Sequence, residues 1–169
     1  MRWKDPPNYQ TIEHFARKYK EFDRTSVTSW LGLLGLVGDL GAAIDVHFER
    51  HGLSKGRFMV LIMLLKHQED GLSPATMAEA CCVTRATMTG LVDTLESAQL
   101  VERTTSPDDR RMIRVRLTSK GLERLDRMLP DHYARIAKLM KHLTKAEHAL
   151  LLGLIAKLRD GLPAIRNPR

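Results

Sequence analysis

A mostly α-helical fold carrying one small β-hairpin is what this 169-residue sequence predicts. Two patterns lead there. Along most of the chain apolar residues recur every three or four positions, the period of a helix with one buried face. Ile113, Val115 and Leu117 instead alternate with Met112, Arg114 and Arg116, the period of a half-buried strand. Composition agrees. Hydrophobic residues make up 43% and aromatic residues 5%, so the core must consist chiefly of Leu, Ile, Val, Met and Ala. The length fits one domain with helical extensions.

From the N-terminus, the residues before Tyr9 include Pro6-Pro7 and read as irregular. Tyr9 to Phe22 reads as a helix, with Ile12, Phe15, Tyr19 and Phe22 along one side. An amphipathic helix with no neighbour to cover it locally tends to pack across a subunit interface. Ser26 or Thr28 is expected to cap a long helix ending near His51, with Gly52 as its stop. Inside it Gly32, Gly35, Gly38 and Gly41 recur every third residue. A helical glycine costs roughly 1 kcal/mol relative to alanine, so the series implies close helix contact or room for a ligand. Ser54 to Lys66 reads as a further helix with Phe58, Leu61, Ile62 and Leu65 inward, and Asp70-Gly71 as a turn.

Ser73 to Ala80 is a short predicted helix, with Ser73 as cap and Pro74 at the first helical position, where its missing N–H costs nothing. Cys81-Cys82-Val83 turns into the next helix, capped by the Thr84 hydroxyl. Met88, Leu91, Val92 and Leu95 form the buried stripe of that helix. Arg85, Thr87, Thr89 and Gly90 lie opposite: short polar groups, one long cation and one residue without a side chain. Leu100 to Thr104 and the alternating segment ending at Leu117 make a hairpin. Its tip, Ser106-Pro107-Asp108-Asp109, is a turn-forming cluster followed by Arg110-Arg111. Thr118 caps a long helix reaching about His142, with Leu122, Leu125, Leu129, Tyr133, Ile136 and Met140 on its apolar side and Pro130 expected to kink it. Thr144 and Glu147 form a capping box for the last helix. That helix shows Leu150, Leu151, Leu154, Ile155 and Leu158 before Gly161-Leu162-Pro163 ends it. Two such helices expose more apolar surface than one small domain covers, and a second copy with intertwined ends would cover the surplus.

Helix, tight turn, second helix and hairpin together are the winged helix-turn-helix arrangement. In helix-turn-helix proteins the second helix enters the DNA major groove with its N-terminal residues at base edges. Arg85, Ala86, Thr87 and Thr89 hold that end here. Arginine pairs well with guanine, and a threonine methyl can meet thymine. Ser73 and Thr76 lie at a helix N-terminus, which favours phosphate. The net charge of +7 suits a polyanion. Arg103 to Lys120 contains six cations against two anions.

Four short runs occur in a telling order: Leu91-Val92-Asp93-Thr94-Leu95-Glu96, Leu100-Val101-Glu102-Arg103, Asp108-Asp109-Arg110-Arg111 and Leu117-Thr118-Ser119-Lys120-Gly121. At these residues the chain resembles the multiple-antibiotic-resistance regulator (MarR) family of bacterial transcription factors, over roughly residues 28 to 162. The resemblance implies a homodimer that binds double-stranded DNA to repress or activate transcription and often releases it on binding a small aromatic acid. It implies a third short strand at Leu72. Asp109 and Arg111 match the paired wing positions, the carboxylate holding an arginine while the wing tip enters a minor groove, whose narrow A·T-rich form attracts arginine. Arg110 and Arg114 are then phosphate or groove contacts. An effector pocket would lie between the dimer helices and the DNA-binding lobe, with Trp30 and Phe58 as walls and Arg57 facing a carboxylate. The implied division is dimerisation helices over 1–52, the DNA-binding lobe over 53–118, further dimerisation helices over 119–163, and a disordered tail over 164–169.

Cys81 and Cys82 raise a rival, a metal- or thiol-redox-gated winged-helix regulator. Adjacent residues on a helix point about 100° apart, a poor pair for one ion, and small packing residues are the simpler reading. His47 and His51 stand at a metal-compatible i, i+4 spacing, yet no third ligand is close in sequence, and a solvated helix end is expected. No cofactor or metal is implied. Absent a nucleophile with a paired base, a phosphate loop or an acidic dyad, the chain does not read as an enzyme. Trp30 to Ile44 is its most apolar stretch, but Asp39 interrupts it, so no membrane span is expected. With no cationic leader and no disulfide framework, a cytoplasmic protein is expected.

Overall fold

The computed structural model describes residues 8–105 and 113–166. In chain order these form α1 (Tyr9–Lys18), α2 (Arg24–Arg50), α3 (Lys55–Lys66), α4 (Pro74–Ala80), α5 (Arg85–Ser97), β1 (Val101–Thr105), β2 (Ile113–Leu117), α6 (Ser119–Met140), α7 (Lys145–Asp160) and α8 (Pro163–Arg166). The mostly helical fold with a small wing is as the sequence predicts. The chain divides into two compact units, Met1–Leu122 and Glu123–Arg169.

Side-chain caps set most helix starts. Ser54, Ser73, Thr84 and Thr144 each accept a backbone N–H three residues on, and Glu147 returns the bond to complete the capping box. α2 departs from expectation. Asp23, not Ser26 or Thr28, is its cap, its Oδ2 accepting from the Ser26 N–H at 2.7 Å. Hydrogen bonding from Ser26 holds the Asp23 carboxyl below its ordinary pKa. α1 is shorter than predicted because Tyr19 is extended. Tyr19 and Phe22 still gather on Phe15, with ring centroids 5.9 and 6.4 Å away.

Three helices end in the same way. At α2 the left-handed residue is Gly52, and Leu53 N–H donates to Phe48 O. At α4 it is Cys82, with Val83 N–H to Ala78 O. At α5 it is Gln99, with Leu100 N–H to Leu95 O. Each is a Schellman closure, which favours glycine at its left-handed position; the last two do without it.

In the first unit, Phe48, Leu53, Phe58, Val60, Leu61, Leu64, Met77, Met88, Val92, Leu95, Leu100, Val101 and Val115 are buried. β1 and β2 pair antiparallel from Val101↔Leu117 to Thr105↔Ile113. Only Val115 of the alternating set is fully buried, while Ile113 is exposed. Leu72 makes a bridge to Val115 through two backbone hydrogen bonds of 3.0 and 2.8 Å, a rudimentary third strand. Gly71 before it needs its left-handed backbone (φ +63°), and a Cβ there would stand 2.5 Å from the Val115 carbonyl oxygen.

Two further findings differ from expectation. α2 is long and apolar enough, by length and composition, to cross a membrane, with a mean hydropathy of 1.6 over 18 residues. Asp39 alone does not offset the run of Leu, Val and Ala around it. And the stretch after Gly161 forms α8 as far as Arg166, with Pro163 as its first residue.

Candidate nucleic-acid interface

The residues expected to face DNA lie on α4, α5 and the hairpin, all within the first unit. Ser73 Oγ accepts the Thr76 N–H at 3.1 Å and shares a 2.8 Å hydrogen bond with Thr76 Oγ1, so both hydroxyls are turned to the cap of α4. Met77 and Ala78 anchor that helix in the core. The Cys81-Cys82-Val83 turn then redirects the chain, with Cys82 at φ +53°.

α5 is anchored by Met88, Val92 and Leu95, all buried. Thr84, Arg85, Ala86, Thr87, Thr89 and Gly90 are all exposed. Thr84 Oγ1 accepts the Thr87 N–H at 3.1 Å and shares a 2.9 Å bond with Thr87 Oγ1. Thr89 Oγ1 donates to Arg85 O at 3.0 Å. Neither α4 nor α5 has an acidic residue in its first turn, so no carboxylate of that turn offsets the partial positive charge of its orphan N–H groups. The sequence-predicted residues of this face thus come together on one exposed helical end.

The hairpin is tied to that helix by a contact the sequence reading missed. Arg103 on β1 forms ion pairs with Asp93 and Glu96 of α5, and its own N–H donates to Glu96 Oε1 at 3.2 Å. Hydrogen bonding to Asp93 leads the effects that raise the guanidinium's pKa. The signal was present as two carboxylates three residues apart on a helix and a cation early in the following strand. Arg114 reaches back from β2, its Nη1 donating to Gly71 O at 3.3 Å, and so braces the turn before α4. Asp109, Arg110 and Arg111 lie outside the described residues.

The proposed effector residues lie apart in character. Phe58 is 6% exposed and stacks on Phe48, centroids 4.6 Å apart, inside the core. Arg57 is half-buried, its Nε donating to Ser54 Oγ at 3.3 Å. Trp30, on α2, is 47% exposed. Cys81 is half-buried, with Sγ 3.9 Å from Met63 Sδ, and burial pushes its thiol pKa up. That is the opposite of what a reactive thiolate needs. Cys82 is exposed. His47 is buried beside the Phe48 ring rather than solvated, as the end of α2 turns into the core; its ring centroid is 5.0 Å from that of His51.

A family model described as the MarR family matches residues 53–113, from the start of α3 into the hairpin. The HTH-type transcriptional repressor YetL of Bacillus subtilis is 30% identical over 167 residues, 99% of this chain and 100% of the relative. The chain belongs to the MarR family. Among solved structures, the MepR–DNA complex of S. aureus superposes with a TM-score of 0.66 at 20% identity, covering 83% of this chain and 99% of its own length. CouR from Rhodococcus jostii RHA1, bound to p-coumaroyl-CoA, does so with a TM-score of 0.61 at 26% identity, covering 81% of this chain and 91% of CouR. The winged lobe of this MarR member is therefore the family's fold, and its curated relatives are transcriptional repressors and regulators.

Proposed function

We propose that this MarR-family chain is a homodimeric repressor. It binds a pseudo-palindromic operator through α5 in the major groove and the β1–β2 wing in the flanking minor groove. The observation that carries the reading is the exposed, acid-free N-terminal turn of α5, on a helix whose later turns Arg103 ties to the hairpin. Two-fold symmetry gives half-sites about one turn, roughly 10 bp, apart. Phosphate contacts supply affinity and its salt dependence, and base contacts supply sequence choice.

Dimerisation is supported by surface the chain leaves uncovered. Leu150, Leu151, Leu154, Ile155 and Leu158 are all exposed along α7, as are Trp30, Leu33, Leu34, Leu36 and Val37 along α2. Apolar patches on this scale mark protein interfaces, and a second copy covers them where a membrane need not. The effector is a small aromatic or phenolic acid, which acts by binding one dimer geometry more tightly than the other. CouR's bound p-coumaroyl-CoA supports an aromatic acyl class.

Sequencing genomic duplexes captured by the purified protein tests this directly. The expected result is an inverted repeat, bound by a dimer in sedimentation experiments. Charge reversal at Arg85 and Arg111 should abolish capture. A monomer in dilute solution, or capture indifferent to both charge reversals, would refute the reading. Aromatic carboxylates are then titrated against the bound complex, and release is expected.

A further inference from the structure

One feature of α5 has no explanation in the packing of the lobe, and its neighbour Thr89 bonds back four residues as Thr94 does. Gly90 is exposed near the middle of the helix, and a Cβ built on it would meet nothing within 4 Å. Its φ is not in the left-handed region. Glycine is unfavourable inside a helix, and neither a clash nor a backbone requirement of the chain itself calls for it here. It contrasts with Gly56 on α3, where a Cβ would press on Leu91 at 3.1 Å. Beside Gly90, Thr89 has turned its one hydroxyl proton inward, to Arg85 O at 3.0 Å. A threonine so bonded has no donor left for O6 or N7 of guanine or N7 of adenine. It offers a methyl group and a residual acceptor.

We propose that the Thr89–Gly90 step reads thymine. The Thr89 methyl meets the thymine C5 methyl, and the missing side chain at Gly90 lets the duplex come that close to the helix. Arg85, one turn earlier and exposed, supplies the donors for guanine. The inference rests on α5 being the DNA-reading helix and names the bases it prefers. Both features point the same way: one removes the donor that would read a purine acceptor, the other removes the bulk that would hold the groove away.

The test uses the full chain and an operator duplex selected from a random pool, with an unrelated duplex of equal length as reference. Deoxyuridine replaces each half-site thymine in turn, which deletes only the C5 methyl. At one position the parent is expected to bind about fourfold more weakly per half-site, the worth of one buried methyl. Thr89→Val keeps the methyl and should keep that thymine-to-deoxyuridine preference; Thr89→Ser keeps the hydroxyl and should lose it. Gly90→Ala should raise Tm by about 2–4 °C while weakening operator binding about tenfold or more, a larger loss than it causes on the unrelated duplex. A preference that survives in Thr89→Ser and vanishes in Thr89→Val would overturn the proposal, as would Gly90→Ala binding the operator like the parent. Failure to bind any duplex at low salt would instead sink the DNA reading beneath it, an outcome distinct from lost base preference.

Discussion

Replacing Gly121 with alanine should lower stability sharply, although alanine is the better helix former. Gly121 lies in the first turn of α6, where a Cβ would stand 2.1 Å from Leu100 O and 3.1 Å from Leu117 Cδ2. The close carbon–oxygen contacts found in folded proteins are about 3.3 Å, so the first turn or residue 100 must move by about 1.2 Å. The contact is with backbone, which cannot swing aside. Leu100 O also accepts the Thr118 N–H at 3.2 Å, and Thr118 Oγ1 donates to Gln99 O at 2.7 Å. A shift of that size overpacks the joint, at about 1–3 kcal/mol, and weakens two hydrogen bonds worth about 1 kcal/mol each. Helix propensity returns about 1 kcal/mol. The net loss is about 2–4 kcal/mol, or about 4–16 °C in Tm for a chain of this size. Thermal denaturation followed by circular dichroism, at one matched chain concentration because association shifts Tm, measures it. Gly90→Ala, whose added methyl meets open space, is the internal control with the opposite sign. A Gly121→Ala Tm within about 2 °C of the parent would mean that α6 pivots freely on residues 99–100, and the steric reasoning would fail.

Three other outcomes are expected. Arg103→Met removes both ion pairs from β1 to α5; with these side chains a quarter to a half exposed, the loss is about 1–2 kcal/mol. It should shrink in 1 M salt, where the Debye length is about 3 Å; a salt-independent deficit would point to packing instead. Glu147, in the α7 capping box, has its carboxyl pKa held below the usual value by hydrogen bonds from Thr144. A depressed folded pKa stabilises the fold above the unfolded value, and that contribution is lost as pH falls through the folded one. The Tm advantage of the parent over Glu147→Gln should therefore be present near neutral pH and vanish on acidification, and a gap constant with pH would contradict the cap's role. Leu154→Glu, in the middle of the exposed α7 face, should yield a monomer in sedimentation velocity; an unchanged dimer would move the interface elsewhere.

Much of the fold was legible because its punctuation is local. Ser73, Thr84 and Thr144 each sit three residues before the N–H they accept, so spacing alone revealed them. The start of α2 was misread because Asp23, Ser26 and Thr28 can all cap, and Ser26 turns out to supply the N–H that Asp23 accepts. The exposed end of α5 followed from its apolar stripe. What ties the helix and the turn before α4 to the hairpin did not. Arg103 meets Asp93 and Glu96 only once the chain has turned through Gln99, and Arg114 meets Gly71 from 43 residues away. Phe58 illustrates the other limit: an aromatic residue on a helix reads equally as a pocket wall or as core, and its stacking on Phe48 is a tertiary fact.

Gln99 carries a side chain in a conformation that suits glycine, φ +61°, at a cost of about 1–2 kcal/mol. Its Oε1 recovers part of that through Lys120 Nζ at 3.1 Å. The position therefore keeps a reserve of evolutionary headroom just beyond the end of α5. A regulator of this kind drifting toward a new operator accumulates destabilising changes along α5. Relaxing residue 99 is one way to absorb them without altering α5 itself.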